Sequence, residues 1–179
     1  MVEEITIREA SVDDARAIAE VHVATWQTSY TDILPPDVLA GLSAESRAAM
    51  WEEGLSQPRG INFLFVAENA AGEVIGFAGG GRNNEGSKSY EGEIRVIYIL
   101  EAYQRIGIGR RLFQTSIARL VDEGITSLLV WAFKDSPYRE FYEKLGGELF
   151  GEKVYEIAGE NYIAVGYGWK DIRSLADSD

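Results

Sequence analysis

Two glycines, Gly107 and Gly109, stand among Arg105, Arg110 and Arg111 where the apolar run Val96-Ile-Tyr-Ile-Leu100 gives way to a basic helical pattern. The first N–H groups of a helix have no acceptor inside it, and the macrodipole adds partial positive charge there. A pyrophosphate would satisfy both. Two other phosphate-binding patterns do not fit. A dinucleotide fingerprint needs a third glycine where Leu112 stands. In Gly81-Arg-Asn-Asn-Glu-Gly-Ser-Lys-Ser89 an extra residue separates Gly86 from Lys88, and a strand follows rather than a helix, so this piece reads as a mobile polar hairpin loop and not a P-loop.

Such a cradle needs a strand before it and a helix after it, and hydrophobic periodicity supplies both: a strand over 91–100 and a helix over 110–123 closed by Gly124. Upstream, residues 5–8 alternate like a first strand, and Ser11-Val-Asp-Asp14 has the form of a capping box with aspartate in place of glutamate. The helix that follows buries Ile18, Val21, Val23 and Trp26. After Pro35-Pro36, residues 37–41 and 43–55 read as short helices, with Ser43 as an N-cap. Segments 61–68 and 74–81 form a hairpin around Asn69-Ala-Ala-Gly72. Beyond the basic helix come a buried-type strand over 125–133, a helix capped by Ser136-Pro137 and stopped at Gly146-Gly147, and a closing hairpin of 149–157 and 162–169 through Ala158-Gly-Glu-Asn161. This order predicts a single α+β domain around one sheet over 1–173, with 174–179 as an acidic frayed tail.

The chain has 179 residues, enough for one domain with a substantial core, and a formal net charge of −12. That balance argues against nucleic-acid binding, which needs a dense cationic face; it serves solubility or draws in a cationic acceptor. No cysteine is present, which removes disulfides, thiolate nucleophiles and cysteine metal sites, and no other metal-ligand constellation is visible. The start Met1-Val-Glu-Glu lacks the apolar region of a signal peptide. The longest apolar runs, such as 128–133, fall far short of the roughly 20 residues that cross a bilayer, so a cytoplasmic protein without membrane contact is expected. His22 is the only histidine and is remote from any nucleophile motif, which reads as a helix residue rather than a catalytic one.

The turn Gln104-Arg-Ile-Gly-Ile-Gly109, with Val96-Ile-Tyr-Ile-Leu100 before it and Glu140-Phe-Tyr-Glu-Lys-Leu-Gly146 after it, resembles the GNAT superfamily of acyl-CoA-dependent N-acetyltransferases, whose signature is Gln/Arg-x-x-Gly-x-Gly/Ala. The resemblance implies the GNAT fold: a central mixed, mostly antiparallel sheet of about seven strands flanked by helices, splayed between strands 4 and 5 to admit acyl-CoA. It further implies acetyl-CoA as cosubstrate, no metal, and direct transfer in a ternary complex to a small primary amine, amino acid or polyamine. By the same resemblance Gln104, Arg105, Ile106, Gly107, Ile108, Gly109 and Arg110 bind the pyrophosphate, and the backbone of Ile97, Tyr98 and Ile99 pairs with the pantetheine arm. Tyr142 matches the family's tyrosine on the late helix and would protonate the coenzyme A thiolate. Glu93 lies eleven residues before Gln104, where histone-type members carry their base, and would act through water. Ser136 stands where many relatives have an asparagine that holds the pantetheine, and Tyr138 replaces a small residue beside the same channel. Trp26 and Tyr30 fall in the region of the family's acceptor wall and could stack on a substrate cation.

Each of these residues also has a plainer reading: Tyr142, Trp26, Tyr30 and Tyr138 as packing aromatics, and Glu93 as a surface carboxylate. At the level of function, a protein N-terminus or lysine is the alternative acceptor, an acyl-CoA-binding sensor without turnover is the rival from another class, and a nucleotide-binding domain on the same turn is the third. A homodimer through the closing strands and a monomer are both compatible with the sequence.

Overall fold

A computed structural model describes residues 4–84 and 89–176. Seven strands, β1 (Thr6–Glu9), β2 (Phe63–Glu68), β3 (Val74–Arg82), β4 (Gly92–Ile99), β5 (Leu128–Phe133), β6 (Glu148–Ile157) and β7 (Glu160–Trp169), form one sheet in the order β1-β2-β3-β4-β5-β7-β6. Every neighbouring pair is antiparallel except β4 and β5. These two run parallel and pair only from Gly92 opposite Leu128 to Ile94 opposite Val130. Beyond Ile94 they part, while β4 stays paired with β3 as far as Ile99 opposite Gly76. Residues 95–99 thus keep one edge free of any strand, as expected for a splayed sheet.

Helices cover both faces because each carries one apolar side. On one face α4 (Ile108–Asp122) sets Phe113, Ile117 and Leu120 against Ile94, Leu128, Val130 and Tyr167. Full burial contributes roughly 1.5–3 kcal/mol for each aliphatic or Phe side chain. On the other face α1 (Ala15–Ser29) sets Ile18 and Val21 on Leu64, Val66 and Phe77, and α3 (Ala44–Ser56) adds Trp51. A short α2 (Pro36–Ala40) joins α1 to α3. Ser43 caps α3 as its sequence predicts, with Oγ accepting the Ser46 N–H at 3.2 Å. Asp14 accepts the Ser11 N–H at 2.7 Å and takes two bonds from Arg8 at 2.8 Å each; Arg8 also pairs with Glu68. One guanidinium thereby fixes β1 to β2 and to the start of α1, and its hydrogen bonds lower the Asp14 carboxyl to about 2.

Several boundaries differ from the sequence reading, β5 among them, which begins at Leu128 rather than 125. Helix α4 begins at Ile108, two residues early, because left-handed Gly107 (φ 93°) is its N-cap. Helix α5 (Arg139–Lys144) begins late, because Ser136 and Pro137 belong to a preceding turn with i→i+3 bonds such as Arg139 N–H to Ser136 O. The closing hairpin turns on two residues, Ala158 (φ 52°) and Gly159 (φ 83°), which returns Glu160 and Asn161 to β7. Both central residues having positive φ is the mark of the tight turn that matches strand twist. Finally, Arg173–Ala176 forms a helical turn, α6, and Leu175 packs on the core beside fully buried Ile172. Residues 174–176, which the sequence assigned to the tail, thus belong to this helical turn. Residues 85–88, in the predicted mobile loop, and 177–179 lie outside the described residues. Among the described residues no helix is long and apolar enough to cross a membrane, and no acidic or histidine cluster could hold a metal ion.

Candidate active site

Where β4 and β5 part, a cleft of about 480 Å³ opens. Residues 95–99 of β4 form one wall, Trp131, Ala132 and Phe133 of β5 the other, and Tyr138, Phe141 and Tyr142 of the α5 region close a side. The turn after β4 closes one end. There Arg105 (φ 64°) and Gly107 (φ 93°) are both left-handed. Turns of this kind bend successive N–H groups toward one concavity. No N–H from Arg105 to Arg110 has an acceptor among the described residues, so the concavity presents donors at the positive end of a fifteen-residue helix. Arg105 and Arg110 line the same end.

Gln104 ties this turn to its surroundings. Its Nε2 donates to the Ile99 carbonyl at 3.0 Å, so that backbone acceptor is already engaged, and its Oε1 accepts from the Tyr138 hydroxyl at 3.4 Å. Ile106 points outward with 61% of its surface exposed, and Ile108 is buried in the core beneath α4; both reach the cradle through backbone alone. A Cβ on Gly109 would stand 3.2 Å from Ile99 Cδ1 and 3.4 Å from Phe141 Cε2, so the missing side chain lets α4, β4 and α5 close up around the turn. Ser136 is buried on the cleft wall, and its Oγ accepts the Tyr138 N–H at 3.3 Å.

Tyr142 lines the cleft, its ring against Phe141 and Tyr167 at 5.2 and 5.9 Å. Burial, with a smaller contribution from Tyr98, pushes its phenol well above the usual range. Burial moves Tyr30 and Tyr98 the same way. The three phenols influence one another and meet where the strands part. Helix α1 and its C-cap residue lay His22, Trp26 and Tyr30 at four-residue spacing over this region, with ring centroids at 5.7 and 5.3 Å. Tyr98 lies 5.3 Å from His22, and Phe133 lies 5.1 Å from Tyr30. Tyr30 lines the cleft; Trp26 stands behind it, its indole N–H near the Tyr98 phenol but outside hydrogen-bond geometry.

His22 is a buried core residue whose Nδ1 accepts the Trp51 indole N–H at 3.3 Å. Burial first, then the charge of Arg47, lower its pKa to about 4. Glu93 is not a surface carboxylate. It lies in the paired part of β4 opposite Leu129, buried, with Arg95 Nε 3.7 Å from its carboxylate, and it does not line the cleft. Sequence reasoning passed over Arg95, Trp131 and Phe133. A signal existed: Trp131 and Phe133 alternate with Val130 and Ala132 along β5, which puts aromatics on the face opposite α4 just before Ser136.

The family model described as Acetyltransferase (GNAT) family matches residues 20–147. The uncharacterized N-acetyltransferase YuaI of Bacillus subtilis is 36% identical over 171 residues, which cover 96% of each chain. Two solved structures share the fold: a GCN5-related N-acetyltransferase from Rhodopseudomonas palustris, 22% identical with a TM-score of 0.73 over 94% of this chain and 97% of that one, and the PaiA N-acetyltransferase of Thermoplasma acidophilum in complex with coenzyme A, 20% identical with a TM-score of 0.66 over 90% and 98%.

Proposed function

The chain belongs to the GNAT family of acetyltransferases and is an acetyl-CoA-dependent N-acetyltransferase; from that premise we propose that it acetylates a small primary amine by direct attack in a ternary complex. The observation that carries this reading is the splay itself, an unpaired strand edge leading from a donor-rich turn to a group of phenols with raised pKa. In the proposed complex the turn 104–110 holds the pyrophosphate and the free edge of Ile97 and Tyr98 pairs with the amides of the pantetheine arm. A β4 N–H then faces the acetyl oxygen, where fixed donors stabilise developing charge. Holding two reactants in place supplies up to roughly 7–11 kcal/mol of the barrier.

The lone pair of the neutral amine attacks the thioester carbon, the C–S bond breaks, and the departing thiolate takes the Tyr142 proton. The proton lost by the amine leaves through water. Glu93 receives it only by such a relay, since its carboxylate is no part of the cleft wall. The test is thiol release from acetyl-CoA against polyamines, amino acids, aminoglycosides and basic peptides, with calorimetric acetyl-CoA binding alongside. Tyr142→Phe is expected to lower kcat by about 10²–10⁴-fold and leave acetyl-CoA affinity within a few fold. Unchanged kcat would remove Tyr142 from the proton path. Tight acetyl-CoA binding with no release from any acceptor would favour the sensor reading, and ATP or NAD displacing acetyl-CoA would favour the nucleotide-binding one.

A further inference from the structure

Tyr98 and Tyr142 reach the gap between β4 and β5 from opposite faces of the sheet. Tyr142 packs with Phe141 and Tyr167 on the face that α4 covers, while Tyr98 stands on the other with Phe77, beneath Ile18 and Val21 of α1. In the proposed mechanism Tyr142 protonates the sulfur, and the Tyr98 side chain has no task. Its ring is nevertheless held on two sides. Phe77, directly opposite it on β3, meets it edge-on at 5.6 Å, and His22 of α1 lies 5.3 Å away. A ring so fixed keeps its hydroxyl in one place.

Tyr30, Tyr98 and Tyr142 all line the cleft, and their hydroxyls make no hydrogen bond to a described residue. Nor are they sealed behind the wall, as the indole N–H of Trp26 is. Burial raises the Tyr98 phenol above its ordinary value and so keeps its hydrogen on the oxygen. The Trp26 indole N–H and the Tyr30 hydroxyl offset part of this, because both stand on the α1 side as donors near that oxygen, although outside hydrogen-bond geometry. With donors on that side, the Tyr98 hydrogen is left to point into the cleft, where it needs an acceptor.

During transfer the reacting centre offers lone pairs on the amine nitrogen, the thioester sulfur and the acetyl oxygen. The nitrogen uses its pair for attack. The sulfur is served by Tyr142. The oxygen gains negative charge, and a fixed neutral donor acts most strongly there. With the pantetheine arm paired to the backbone of Ile97 and Tyr98, the acetyl group ends beside the stretch of strand from which the Tyr98 side chain rises, since strand side chains stand perpendicular to the sheet.

We propose that Tyr98 is a further catalytic residue, donating a hydrogen bond to the acetyl oxygen as the tetrahedral intermediate forms, with Tyr30 as the positioning residue behind it. The inference rests on the transferase reading and adds a role to it. As the amine nitrogen bonds to the carbonyl carbon, the π electrons move to oxygen, and Tyr98 strengthens its hydrogen bond there while keeping its own proton. When the electrons return, the C=O bond re-forms, the C–S bond breaks and the sulfur takes the Tyr142 proton. The amine proton leaves through water, as before.

The experiment compares Tyr98→Phe, Tyr30→Phe and the double variant of the full chain. Each removes a hydroxyl that bonds to no described residue, so urea midpoints should hold or rise. With the acceptor panel, kcat in Tyr98→Phe is expected to fall about 10²–10³-fold, with acetyl-CoA affinity and the amine KM held within a few fold. Tyr30→Phe should cost less, and little more when added to Tyr98→Phe, because it acts through that hydroxyl. A second readout needs no acceptor: the infrared C=O stretch of bound acetyl-CoA labelled with carbon-13 in the acetyl carbonyl. A donor on the oxygen lowers this frequency, so the bound band should lie below the free one and move back toward it in Tyr98→Phe but not in Tyr142→Phe. A band or a kcat unchanged by Tyr98→Phe overturns the proposal. If no acceptor releases thiol, the transferase reading fails by itself, and the band alone decides for or against Tyr98.

Discussion

A phenol serves as a proton donor only while it holds its proton. Burial lifts Tyr142 well above the usual phenol range, so it keeps its proton where a free phenol would begin to lose it. The expected consequence is a kcat that rises with pH as the acceptor amine is deprotonated and shows no fall up to about pH 10, the reference value for a free phenol; a fall between pH 8 and 10 that vanishes in Tyr142→Phe would refute it. His22 gives the opposite kind of prediction, one of stability. Its folded pKa is lowered to about 4 from 6.5, so the unfolded chain takes up its proton first. The stabilisation is complete above pH 6.5 and declines as pH falls to about 4, for a total on the order of 3 kcal/mol. Asp14, lowered from 3.8 to about 2, acts only below that window. Urea midpoints from pH 7.5 to 4 should therefore slope less in His22→Leu than in wild type, whatever the variant's absolute stability. Little of this was legible in the sequence. The burial of His22 depends on Trp51, twenty-nine positions away on another helix, and Lys153 meets Trp131 only because β7 pairs with both β5 and β6 and so holds them one strand apart.

At the scale of elements, the turn between β4 and α4 carries the cofactor reading, and Gly107 is where it can be tested without filling space. A Cβ there would meet nothing within 4 Å, so Gly107→Ala disturbs only the backbone at φ 93°. A left-handed non-glycine residue costs roughly 1–2 kcal/mol. If the turn relaxes to avoid this, the N–H groups no longer converge. The variant is expected to lose about 1 kcal/mol of stability in urea and to bind acetyl-CoA about tenfold more weakly by calorimetry. Unchanged affinity alongside the stability loss would mean that the turn is only a helix start. Periodicity located this element and most others, because apolar spacing of 2 or 3.6 follows directly from burial on one face. It failed where a boundary depends on a single dihedral. The left-handed Ala158, which shortens the last turn to two residues, is an alanine and carries no turn signal; the same holds for Arg105 in the cradle. The α6 turn was lost because two apolar residues in an acidic tail show no period, and only the core beneath Leu175 gives them a reason to be ordered.

For the whole molecule the excess of acid sets a balance between long-range repulsion and short-range pairing. The Arg8, Asp14 and Glu68 cluster is partly buried and its members touch, so added salt screens it weakly. Pairs such as Arg16 with Glu20 and Lys144 with Glu140 are exposed and contribute little at any ionic strength. The mutual repulsion behind a net charge of −12 acts across the surface, at distances where salt screens well. Raising ionic strength from about 0.01 M to 0.15 M shortens the screening length from about 30 to 8 Å. Relief of repulsion should outweigh the loss of surface pairs. Each kcal/mol so gained raises Tm by about 2–4 °C at this chain length, so melting at neutral pH is expected to shift upward by a few degrees across that salt range, with most of the gain at the dilute end where the screening length changes fastest. A Tm that falls with salt would assign the surface pairs a stabilising weight that their exposure argues against.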